Sequence, residues 1–233
     1  MNKSTLPTVK LAIVAIVAIV MGAVALTGCA QQHTSTIAVE PAIAKTTARA
    51  TVTPVTFAAA GDSITAWIDR NNIPVHTTWV TSVPNRFIQF TGQGWAKGGA
   101  KLAEIDANIT PVTADVLVIM AGTNDEGDRW GTPMATRLAE VVDIAVKSHA
   151  PHVLLSAVAP RDAGPAWAAD WNVQLAHLAT VEGWSFVDPW GFLRTADGHY
   201  MAGTTVEGIH PTPASQVVVG QELRAAIVAA NGK

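Results

Sequence analysis

Ser63 lies in Gly61-Asp62-Ser63-Ile64, directly after a short apolar run. A serine hydroxyl so placed can attack an acyl carbon once a base removes its proton. His210, in Glu207-Gly208-Ile209-His210-Pro211, offers an imidazole suited to that task near neutral pH. Glu207 stands three residues earlier across a glycine-containing turn, so its carboxylate can fold back onto Nδ1 and fix the tautomer. Asn124, in Gly122-Thr123-Asn124-Asp125, follows the most apolar of the expected strands, where a side-chain amide can donate to a developing oxyanion. In Gly98-Gly99-Ala100 the absence of a side chain lets a backbone N–H approach a ligand closely. Each block alone has a plainer use. Ser63 could cap a helix, Asn124-Asp125 could form an Asx turn, Glu207 could be a solvated charge, and His210 could only lead into a helix. Their combination is what points to acyl transfer at a serine.

Other candidates fall away on context. The Gly-x-Ser-x-Gly elbow is absent, because Thr65 occupies its last position. His199 is a rival base, but it lacks the acid-x-x-His-Pro setting. His149 and His152 flank Pro151 with no third ligand nearby, so they are not read as a metal site. Asp62 and Asp125 read as turn residues that order the reactive loops. Trp130, shortly after Asn124, is a candidate for a pocket wall, although most of the eight tryptophans suit buried packing.

These residues need elements that carry them to one edge. Residues 55–60, 115–121, 152–158 and 184–188 are apolar runs closed by glycine or proline, and a further strand is expected near 86–90. Continuous apolar strands without alternation suit a parallel sheet covered on both faces. Between them, residues 134–148 place Leu138, Val141, Val142 and Ala145 on one helical stripe. Residues 166–182 carry Trp171, Leu175 and Leu178 at helical spacing, and a last helix starts at Pro213 and runs to about residue 230. The alternation predicts a doubly wound α/β domain, whose ligands bind beyond the carboxyl ends of the strands. Ser63, Asn124 and the loop after Pro189 all fall there.

The chain has 233 residues, 49% hydrophobic and 14% charged, which suits one domain with a tail. Four cations and one anion precede Pro54, so the rest holds 11 cations against 17 anions, a net charge of −6. That balance, with no basic stripe, argues against nucleic acid as a partner. The single cysteine excludes an intramolecular disulfide and thiolate metal clusters. Lys3 and Lys10 precede an apolar run at residues 11–26, which reads as a secretory signal. The run ends in Leu26-Thr27-Gly28-Cys29, which resembles a bacterial lipobox. The organisation expected is a signal peptide at 1–28, a flexible tether at 29–54, and a domain at 55–233. Cys29 would carry the lipid, placing the domain on the extracytoplasmic face of a membrane. An uncleaved membrane anchor is the alternative.

Taken in order, the four blocks resemble the SGNH, or GDSL, hydrolase family, over nearly the whole chain after Pro54. Ser63 falls in the block that supplies the nucleophile. Gly99 matches the second-block glycine, with Gly98 as the fallback. Asn124 matches the third-block asparagine, and His210 the histidine of the last block. The family usually reads Asp-x-x-His-Pro there, and Glu207 replaces that aspartate. The resemblance implies a three-layer α/β/α sandwich, flavodoxin-like, with a parallel sheet of about five strands. It also implies ester hydrolysis by Ser63, His210 and Glu207, without metal or cofactor. The oxyanion would be held by Asn124 Nδ2 and the backbone N–H groups of Gly99 and Ser63. The expected substrates are short-chain or O-acetyl esters, on a small molecule or an envelope polysaccharide, and the expected state is a monomer. An O-acyltransferase and a catalytically idle carbohydrate-binding domain are the alternatives.

Overall fold

The computed structural model describes residues 52–66, 77–126 and 131–232. The leader, Cys29, the tether as far as residue 51 and Trp130 lie outside the described residues. Five strands form one sheet: β1 (Val55–Gly61), β2 (Ile88–Ala96), β3 (Val116–Met120), β4 (His152–Ser156) and β5 (Ser185–Val187). Their order is β2-β1-β3-β4-β5, and every pairing is parallel. The five-stranded parallel α/β architecture expected from the sequence is therefore present.

Among the described residues five α-helices cover the sheet: α1 (Trp79–Ser82), α2 (Leu102–Asn108), α3 (Met134–Ser148), α4 (Pro165–Glu182) and α5 (Pro213–Asn231). Successive strand residues point to opposite faces. Ala58, Leu117 and Leu155 accordingly pack with Ile105 of α2, Val141 of α3 and Trp171 of α4 in one core. Phe57, Val118 and Leu154 pack with Trp79 of α1 and Leu223 of α5 in the other. Because both faces are covered, β3 is buried at every residue, and its run Val-Leu-Val-Ile-Met shows no alternation. Burying each such side chain fully is worth roughly 1.5–3 kcal/mol.

Three details depart from the sequence expectations. β2 does not stop near Phe90 but continues through Thr91-Gly92-Gln93-Gly94 to Ala96. The register slips between Phe57 and Ala59, and a side chain on Gly94 would lie 2.0 Å from the Ala59 carbonyl, so glycine is what permits the bulge. The short helices α1 and α2 have no strong sequence period and were not expected. On α3 the fully buried line is Arg137, Val141, Ile144, Ala145 and Ser148, while Leu138 and Val142 are partly buried. The helix is rotated toward a buried cation that a purely apolar stripe does not anticipate.

The chain runs from β1 to β2 on one side and then returns to place β3 on the other. The strand order thus switches between β1 and β3, and that crevice is where such folds seat their ligands.

Candidate active site

β1 and β3 end side by side, with Gly61 opposite Met120. A Cβ on Gly61 would sit 2.4 Å from the Met120 carbonyl oxygen, so only glycine allows the chain to turn this close. In the turn that follows, the Asp62 carbonyl accepts from Thr65 N at 3.1 Å and Ala66 N at 2.8 Å. Asp62 Oδ1 accepts from Ile64 N at 3.0 Å. Gln216 of α5 braces the turn by donating from Nε2 to the Ile64 carbonyl at 3.3 Å, while its Oε1 accepts from Trp79 N at 3.0 Å. Asp62 is 1% exposed. Burial pushes its carboxyl up to about 6, against the opposing pull of the Ile64 N–H, the Thr123 hydroxyl and the nearby His210.

The histidine arrives from the loop before α5. Ser63 Oγ lies 2.8 Å from His210 Nε2. The other ring nitrogen, Nδ1, meets Glu207 Oε1, which also accepts from His210 N at 3.2 Å. Three anchors hold the loop. Thr205 Oγ1 donates to the His210 carbonyl at 2.8 Å, Val206 N donates to the same carbonyl at 2.9 Å, and Tyr200 Oη donates to the Ile209 carbonyl at 2.9 Å. Burial, reinforced by Asp162, Glu207 and Asp62, pushes the Tyr200 phenol well above its usual range, so it remains a donor. The side chains of His210 and Glu207 are 44% and 45% exposed, which leaves the pair open to solvent.

The third part is a single 3-10 turn at Thr123–Asp125, entered through Gly122 at φ 113°. A side chain on Gly122 would lie 2.2 Å from Trp171 Nε1, the atom that donates to the Ala121 carbonyl at 2.9 Å. Asn124 Nδ2 donates to the Ala100 carbonyl at 3.0 Å. An amide nitrogen carries two hydrogens, so one donor remains for a ligand. The same bond ties the asparagine to the Gly98-Gly99-Ala100 segment. Gly99 has φ 80° and open space beside its Cα, and a Cβ on Gly98 would find the Ser63 side chain 4.0 Å away. Both glycines remain candidates for the backbone donor.

Ser63, His210 and Glu207 thus form one hydrogen-bonded chain, although they come from opposite ends of the domain, and the Asn124 and Gly98-Gly99 turns are joined to each other. Asp62 orders its own turn through Ile64 N, whereas Asp125 Oδ2 accepts from Leu102 N at 3.2 Å and so ties its turn to the start of α2. His199 lies apart from this chain, near Asp162 at 3.7 Å and Asp197 at 4.0 Å. Among the described residues no group of three or more His, Cys, Asp or Glu side chains is set to hold a metal ion. Sequence reasoning missed Gln216, Arg137 and Arg161. The signal available for Arg137 was a charged residue four positions before Val141 on an otherwise apolar stripe.

A sequence model of the GDSL-like lipase/acylhydrolase family matches residues 59–217, a span that contains every residue of this site. The chain belongs to that family. Solved structures share its fold. An aryl esterase from M. smegmatis is 15% identical, with a TM-score of 0.56, over 76% of this chain and 99% of its own. A carbohydrate acetylesterase from Sinorhizobium meliloti is 15% identical, with a TM-score of 0.55, over 76% of this chain and 99% of its own. A GDSL-like lipase from Bacteroides thetaiotaomicron is 18% identical, with a TM-score of 0.55, over 75% of this chain and 88% of its own. No curated protein matches the sequence. The protein is therefore a hydrolase of the GDSL-like acylhydrolase family.

Proposed function

We propose that the protein is an extracytoplasmic serine esterase that hydrolyses short-chain or O-acetyl carboxylic esters with Ser63, His210 and Glu207. The observation that carries this reading is the continuous chain from Ser63 Oγ to His210 Nε2 at 2.8 Å and from His210 Nδ1 to Glu207. Ser63 Oγ attacks the carbonyl carbon while His210 Nε2 takes its proton. The tetrahedral oxyanion is held by the free N–H of Asn124 and the backbone N–H groups of Ser63 and Gly99. One such donor is worth about 3–4 kcal/mol of barrier. The intermediate collapses, the alcohol leaves with the proton from His210, and the acyl group stays on Ser63. Water, deprotonated by the same imidazole, then cleaves the acyl-serine, releasing the acid and restoring the hydroxyl. Glu207 holds the imidazole in the right tautomer and stabilises its transient positive charge.

The half-exposed His210 and Glu207 leave room for an ester whose alcohol portion is bulky, such as an acetylated polysaccharide. Lipid attachment at Cys29 would hold the domain at the membrane surface. Among the described residues no helix is long and apolar enough to cross a membrane, and the anchor reading rests on the sequence of the leader. Cell fractionation of wild type against Cys29→Ser tests it, because loss of the lipid site should release the protein from membranes.

Hydrolysis of p-nitrophenyl esters of graded chain length tests the chemistry. Acetate and butyrate should be cleaved fastest, and Ser63→Ala should lower kcat by at least ~1000-fold. Fastest cleavage of long acyl chains would contradict the substrate assignment. Equal rates in wild type and Ser63→Ala would contradict the mechanism.

A further inference from the structure

Behind Asn124 two arginines from separate elements reach the same short turn. Arg137 of α3 is 7% exposed, and its Nη2 donates to the Asp125 carbonyl at 2.9 Å. Its guanidinium also stands 4.8 Å from the centre of the Trp167 ring. Arg161, in the loop after β4, donates from Nη1 to the Thr123 carbonyl at 3.1 Å and pairs with Glu126. The two gripped carbonyls belong to the residues immediately before and after Asn124.

Each contact is a charge-assisted hydrogen bond, stronger than one between neutral groups. Around the same turn Trp171 holds the Ala121 carbonyl and Asp125 N holds the Gly122 carbonyl. The Asp125 carboxylate also accepts from Leu102 N of α2 at 3.2 Å. The carbonyls of Ala121, Thr123 and Asp125 are thereby held from α4, the β4–α4 loop and α3, and that of Gly122 from within the turn. Asn124, whose amide must meet an oxyanion, stands between the last two residues held from outside the turn, Thr123 and Asp125.

We propose that Arg137 and Arg161 are positioning residues of the ester hydrolysis, clamping the carbonyls of Asp125 and Thr123, the residues that flank Asn124, so that its side-chain amide is already aimed at the oxyanion. This rests on the reading of Asn124 as an oxyanion donor. An oxyanion donor is useful only if it sits at the position the charged oxygen will occupy, and it then costs no reorganisation during reaction. The clamp supplies that fixity without touching substrate. Its effect belongs in kcat, because the ground-state ester gains little from the same amide.

A kinetic cycle on the full-length protein with p-nitrophenyl acetate tests the clamp. Arg137→Met and Arg161→Met are each measured alone and together with Asn124→Ala. Each arginine variant should lower kcat by about 10–100-fold, the scale of a small misplacement, with KM nearly unchanged. In the Asn124→Ala background the same substitution should cost less than about twofold, since the group it positions is gone. Repetition of the full loss in that background would overturn the clamp and leave the oxyanion reading intact. An Asn124→Ala protein with unchanged kcat would overturn the oxyanion reading and the clamp with it. Circular dichroism and thermal unfolding accompany each variant. If Arg137→Met does not fold, Arg161→Met, whose side chain is 18% exposed in the parent, carries the cycle by itself.

Discussion

Glu207 carries one methylene more than the aspartate its family usually places before the histidine, and the loop absorbs the difference. Its Oε1 meets both His210 Nδ1 and the His210 backbone N–H, so the longer side chain is folded back over its own turn. Replacing Glu207 with Gln should therefore leave the fold intact and lower kcat severely, toward the roughly 10⁴-fold seen when a triad acid loses tautomer control. Glu207→Asp should retain much of the rate. Near-parental kcat in both Glu207→Gln and Glu207→Ala would show that the enzyme runs on Ser63 and His210 alone. Asp62, next to Ser63, supports a prediction of a different kind. Its carboxyl is pushed by burial from 3.8 to about 6, so the folded protein binds that proton more tightly than the unfolded chain does. Its contribution to stability is therefore fully present below about pH 4 and is lost as pH rises through about 6. Asp62→Asn removes this dependence. The variant should gain on the parent by up to about 3 kcal/mol between pH 4 and 7, measured as the difference between their urea-unfolding free energies. Parallel curves for the two proteins would contradict the buried-carboxylate account.

The elements deliver these residues through a few backbone constraints, and Gly122 is the sharpest. It combines a φ of 113° with the Trp171 indole 2.2 Å from where a Cβ would be, whereas Gly203, at φ 78°, has open space. Gly203→Ala should cost only the backbone term, about 1–3 kcal/mol. Gly122→Ala should cost more than that and should also lower kcat, because the turn carrying Asn124 must move. Equal melting temperatures for the two variants would contradict it. The same comparison shows why the architecture was readable from sequence and where reading stopped. β1, β3, β4 and β5 are apolar runs closed by glycine or proline, and α3, α4 and α5 are long enough to display a helical period. At four and seven residues, α1 and α2 are too short to display one, and Thr91-Gly92-Gln93-Gly94 looks like a turn although it is bulged strand. Ser63, Asn124 and His210 were legible because each sits at a strand end or before a proline-marked helix. Arg137 and Arg161 were not, since each acts on a carbonyl 12 or 38 residues away in sequence, a relation created only by packing.

At the scale of the molecule, the switch in strand order between β1 and β3 explains why residues from positions 63, 124 and 210 converge on one crevice. Two cores cover the faces of the sheet that floors the crevice, and the candidate residues stand on loops beyond the strand ends. All of this depends on Ser63 being a hydroxyl that His210 activates within a formed oxyanion site. Labelling the purified protein with a fluorophosphonate and mapping the modified peptide by mass spectrometry tests that dependence most directly, since the probe reacts preferentially with an activated serine. The account predicts one adduct, on Ser63, strongly reduced in His210→Ala and absent in Ser63→Ala. An adduct on a different residue, or labelling of Ser63→Ala to the same extent as the parent, would contradict it.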